Sequence, residues 1–68
     1  MGNIKGTRNM VRQDLTQTLK SLDKCLMYLA RSGLHYQKDH PLIYDSFCVS
    51  CALLNEVRKT VATLHRTI

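Results

Sequence analysis

Between residues 8 and 32 the apolar positions recur at a helical period. Leu15, Leu19, Leu22, Leu26 and Leu29 are spaced 4, 3, 4 and 3 apart, which lines them along one face of a helix at about 3.5 residues per repeat. Val11, Thr18 and Cys25 lie beside that row. Gln13, Gln17, Lys20, Lys24 and Arg31 fall on the opposite side. A second run follows the same rule: Ile43, Phe47, Ser50, Leu54, Val57, Val61, Leu64 and Ile68 are spaced 4, 3, 4, 3, 4, 3 and 4 apart. No stretch alternates with the period of two that a half-buried strand requires. The pattern predicts two helices, 8–32 and 41–67, each carrying one apolar row, and an all-α fold.

The punctuation agrees. Thr7 and Asn9 are suitable N-caps for the first helix. Gly33 can adopt the left-handed conformation that closes a helix, with Leu34 folding back onto Leu29 as in a Schellman cap. Residues 33–40 then form the loop, Asp39 or His40 caps the second helix, and Pro41 occupies its first turn, where a missing N–H costs nothing. Residues 1–7 hold two of the three glycines and no periodicity, and read as a flexible N-terminal arm. A short connection between helices returns the chain antiparallel, giving a two-helix hairpin over 8–68.

One hairpin leaves apolar surface uncovered. From Leu42 to Leu54 only Asp45, Ser46 and Ser50 are polar, and a helix that is apolar nearly all round needs cover on more than one side. Met27 and Tyr28 sit off the leucine row at the same end. Met27, Tyr28, Leu42, Tyr44, Phe47 and Val49 therefore form the predicted assembly or partner surface, aromatic and Met side chains being common anchors of interfaces. The expected architecture is an antiparallel hairpin that pairs into a four-helix bundle, as a homodimer or by completing a partner's bundle.

Size points the same way. A chain of 68 residues buries only about 60% of its unfolded surface, and small domains commonly add a disulfide, a metal or a second subunit. Three cysteines leave one unpaired in any disulfide scheme, which favours a reducing, cytoplasmic setting. The 44% apolar content with three Gly and one Pro excludes a disordered tail. No window reaches the roughly 20 apolar residues of a membrane span. The first fifteen residues lack the apolar core of a signal peptide. Met1-Gly2 opens the chain, but Gly6 stands where an N-acylation signal wants Ser or Thr.

The net charge of +5 adds a second lead. An antiparallel hairpin brings Lys5, Arg8 and Arg12 beside Arg58, Lys59 and Arg66 at its open end, with His65 among them. Such a cluster suits phosphate or an acidic partner. Tyr28, Tyr36, Tyr44 and Phe47 lie elsewhere, so stacking on nucleic-acid bases is not indicated. Basic residues in a last helical turn are also favoured by the helix dipole. Lys20, Lys24 and Arg31 read as a solvated outer row.

Cys48 and Cys51, with Cys25 on the facing helix and His35 and His40 in the loop, offer the ligand types of a zinc site. The loop histidines lie more than a helical turn from Cys48, and the thiols read better as small core residues. No cofactor is therefore expected. The acids are scattered, no pair is placed for acid–base work, and a hairpin has no deep cleft. The chain reads as a small basic non-enzymatic interaction module (an adaptor, inhibitor or regulator) working by protein–protein contact and self-association. The alternative is a nucleic-acid-binding regulator that uses the basic open end.

Overall fold

The computed structural model describes residues 3–68, with side chains from residue 6 onward. Two helices account for nearly all of it: α1 (Asn3–Leu34) and α2 (Pro41–Thr67). They pack against each other as an antiparallel hairpin, and no strand occurs among the described residues. The hairpin measures 59 × 15 × 11 Å, one helix deep and two helices wide.

α1 begins earlier than the apolar pattern alone indicates. Residues 3–7 of the expected arm are helical, and residues 1–2 lie outside the described residues. Once a helix is nucleated, each further residue adds a hydrogen bond, so a single Gly6, costing about 1 kcal/mol, does not stop it.

The other end of α1 corrects a second expectation. Gly33 does not close the helix in a left-handed conformation, since no glycine among the described residues has positive φ. It is helical, and α1 continues to Leu34. The last carbonyls are satisfied by tight turns: the N–H groups of His35, Tyr36 and Gln37 donate to the carbonyls of Ser32, Gly33 and Leu34 at 3.2, 3.0 and 3.4 Å. These i→i+3 bonds wind down the helix without a Schellman motif. The need for glycine at position 33 lies across the hairpin. A Cβ there would stand 3.0 Å from Phe47 Cβ and 3.2 Å from Phe47 Cγ, so the missing side chain lets α2 come close.

The loop folds onto the same place. Tyr36 stacks on Phe47, with centroids 5.9 Å apart and planes 14° from parallel, and tilts against His40 at 5.7 Å. His40 is the residue before α2, but its side chain makes no capping bond. Pro41 takes the first turn, and the Tyr44 N–H donates to the His40 carbonyl at 2.9 Å.

The hairpin is thin. Gly33 is buried, but among the described residues no hydrophobic side chain is. The chain exposes 5560 Å², whereas a compact monomer of 7.8 kDa exposes about 4,400 Å². Its radius of gyration is 16.4 Å, against about 11 Å for a compact chain of this length.

Candidate interaction surface

The row at the centre of α2 is Phe47, Leu54, Val61 and Ile68, all half-buried against α1. Two rows flank it, each with a seven-residue repeat. One is Ile43, Ser50, Val57 and Leu64, the flank that the apolar periodicity assigns to the contact. The other is Tyr44, Cys51, Arg58 and His65. The structure turns the second flank toward α1: all four of its members are half-buried. Ile43, Val57 and Leu64 remain 43%, 48% and 46% exposed. The helix is thus rotated by one row from the expectation, with its more polar flank inside.

Bonds across the hairpin accompany that rotation. Arg58 donates to the Asp23 carboxylate through Nε at 2.6 Å and through Nη2 at 3.4 Å. The Arg58 hydrogen bond and charge lower the Asp23 pKa below the ordinary carboxylate value, and Asp23 in turn raises that of Arg58. His65 Nε2 lies 3.1 Å from Thr16 Oγ1. Nearer the loop, Leu29, Gly33, Leu34, Tyr44, Cys48 and Cys51 line an apolar cleft of about 340 Å³. The neighbouring Cys48 thiol raises the Tyr44 pKa above its ordinary value.

Among the described residues the outer side of α2 has no such bonds to α1. Next to the Ile43 row runs Ser46, Leu53, Thr60 and Thr67. These two rows contain no charged residue. Their hydroxyls are turned back into the helix: Ser46, Ser50, Thr60 and Thr67 donate to the carbonyls of Leu42, Ser46, Glu56 and Thr63 at 3.2, 2.8, 3.1 and 2.8 Å. A hydroxyl bonded in this way has its donor satisfied inside the helix. What the face offers outward is hydrocarbon: Leu53 is 63% exposed, and beyond it Val49 and Leu42 extend the patch.

The structure divides the six residues predicted for assembly. Met27, Tyr28, Leu42 and Val49 are exposed. Tyr44 and Phe47 are half-buried between the helices, so they serve the hairpin itself. The Arg31 guanidinium sits 5.4 Å from the centre of the Tyr28 ring and partly occupies it.

The basic open end is more engaged than its composition indicates. Arg58 lies within the helix contact, bound to Asp23. Lys59 pairs with Glu56 at 3.3 Å. Arg8 Nε donates to the Ile68 carbonyl, and Arg66 donates to Thr63 Oγ1 at 3.4 Å. The Lys5 side chain lies outside the described residues. Arg58, Lys59, His65 and Arg66 border a shallow groove of about 540 Å³. The cysteines are free thiols, with Cys25 and Cys48 exposed and Cys51 half-buried. They are not the core residues expected from their type. Among the described residues no three His, Cys, Asp or Glu side chains are arranged to hold a metal ion, so Cys25, Cys48 and Cys51 are not gathered into a site. No helix among these residues is long and apolar enough to cross a membrane. Comparison of the chain with protein-family models, with curated proteins and with solved structures finds no match.

Proposed function

We infer that this chain is a non-enzymatic helical interaction module, an adaptor, inhibitor or regulator that acts by protein–protein contact and self-association. One observation carries the reading: a hairpin with no buried hydrophobic side chain among its described residues also holds Leu42, Val49 and Leu53 at 82%, 58% and 63% exposure. Contiguous apolar surface on a small chain marks a contact site. The bundle it enters supplies the core that the hairpin lacks. Sedimentation equilibrium of the full chain at micromolar concentration tests this. A mass above 7.8 kDa is expected, and a folded species at that mass throughout would contradict it.

A second reading rests on the groove bordered by Arg58, Lys59, His65 and Arg66, with Arg8 and Arg12 on the same end: nucleic-acid binding through phosphate. It predicts affinity that falls steeply with salt and is lost on reversing the charges of Arg8 and Arg12, with assembly intact. Gel-shift titration with RNA and DNA at two salt concentrations checks it. The absence of a salt-sensitive shift removes it.

A further inference from the structure

The outer face of α2 has a defined composition and a defined place, and together they specify what covers it. We propose that it is the docking surface for a second copy of this chain, laid antiparallel so that the two loops sit at opposite ends of a four-helix bundle. This rests on the reading of the chain as a self-associating module, and adds the face and the orientation.

Three observations carry it. The first is area. The chain exposes 5560 Å², about 1,200 Å² more than a compact monomer of its mass. A standard interface takes about 800 Å² from each partner. The excess is therefore enough for one full interface per chain.

The second is chemistry. Ile43, Leu53, Val57 and Leu64 supply side chains of core type, and the hydroxyls between them are already bonded to carbonyls of their own helix. No charge interrupts these two rows. A second apolar helix therefore meets no unpaired hydroxyl proton and no charge that must be stripped of water. The face lies roughly a quarter-turn around α2 from the contact with α1, the relation that a helix of a four-helix bundle has to its two neighbours. A large acidic partner would select the basic end rather than this neutral face.

The third is charge, which sets the orientation. Toward the open end of the hairpin Arg8, Arg12, Lys59 and Arg66 outnumber Asp14 and Glu56. At the loop end Arg31 and Lys38 are offset by Asp39 and Asp45. A parallel pair would set two basic ends side by side, within reach of mutual repulsion at physiological salt. An antiparallel pair separates them by about the length of the hairpin, 59 Å, and places each beside a near-neutral loop.

Two substitutions test the face. Leu53→Lys puts a charge in the proposed contact, and Gln17→Lys puts one on an exposed position of α1 outside it. In sedimentation equilibrium, Leu53→Lys is expected to weaken self-association by roughly tenfold or more, because the charge is left unpaired in an apolar contact. Gln17→Lys should leave association unchanged. The opposite ranking overturns the face. A wild-type chain that is folded and monomeric overturns the underlying reading instead.

Orientation is read by double electron–electron resonance on a nitroxide at Lys38→Cys, with Cys25, Cys48 and Cys51 replaced by Ala and folding checked by circular dichroism. Antiparallel docking predicts an interchain distance on the order of 50 Å, the length of a hairpin helix, and a distance below about half of that overturns it. If the labelled chain does not fold, amine cross-linking of mixed light and heavy isotope copies of the unmodified protein decides. Links between Lys38 of one copy and Lys59 of the other support antiparallel docking, and links between the two Lys38 residues contradict it.

Discussion

The two flanks of α2 differ by one residue in register and by everything in fate. Tyr44, Cys51, Arg58 and His65 are half-buried against α1, while on the other flank Ile43, Val57 and Leu64 remain exposed and only Ser50 is half-buried. Hydrophobicity alone would reverse them. The inner flank gains two specific partners, Asp23 for Arg58 and Thr16 for His65, and the long stem of Arg58 packs while its head remains at the surface. The outer flank makes no side-chain hydrogen bond to α1 among the described residues. The more apolar side of a helix can thus be held back from the intramolecular contact and remain available for an intermolecular one.

The largest effect should come from the row shared by both faces. Phe47→Ala removes the ring that packs over Gly33 and stacks with Tyr36. It should cost about 2–3 kcal/mol, below the range for a fully buried Phe, as measured by urea unfolding. It should also loosen the loop. If it is silent, the loop end does not anchor the hairpin.

Gly33→Ala comes next. It improves helix propensity by about 1 kcal/mol, but its Cβ would meet Phe47 Cβ at 3.0 Å, an atom fixed to the backbone, so the helices must part. A net loss of about 1–2 kcal/mol is expected from such overpacking. The penalty should shrink but not vanish in a Phe47→Ala background, which removes the ring carbon at 3.2 Å but keeps the Cβ at 3.0 Å, and a double-mutant cycle isolates this coupling of touching residues.

On the outer flank, Val57→Ser and Leu64→Ser should each weaken assembly by about 1 kcal/mol, from lost apolar burial. The helical circular dichroism of the dissociated chain should be unchanged. Equal losses in both states would place these residues in the hairpin contact instead.

The smallest effect belongs to the inner ion pair. The Asp23 pKa is lower in the folded state than its ordinary value of 3.8. The pair's contribution is therefore fully present above that ordinary value, and is lost as pH falls through the lower folded value. Asp23→Asn should remove this acid-limb dependence and lower the melting temperature slightly, less so in high salt, because exposed pairs contribute little and are screened. Thermal melts from pH 6 downward follow it.

The existence and direction of both helices are legible in the spacing of the leucines and of Phe47, Leu54 and Val61, because a 3.5-residue period suits no other local structure. The surplus of apolar residues near the loop is legible from composition. The choice of flank is not, because it depends on Asp23 and Thr16 standing opposite Arg58 and His65 across the hairpin, a pairing that is not local. Gly33 misleads for the same reason: a glycine near a helix end suggests a cap, whereas the close approach of Phe47 depends on register. The basic cluster is visible as residues, but the engagement of Arg8, Arg58, Lys59 and Arg66 with neighbours is not.

Thermal unfolding of the wild-type chain over a hundredfold range of concentration tests the central claim most directly, because binding between folded copies stabilises by mass action. A melting temperature that climbs with concentration is the predicted result. A sharp cooperative transition at the same temperature throughout would show that the hairpin needs no second copy, and would contradict the account.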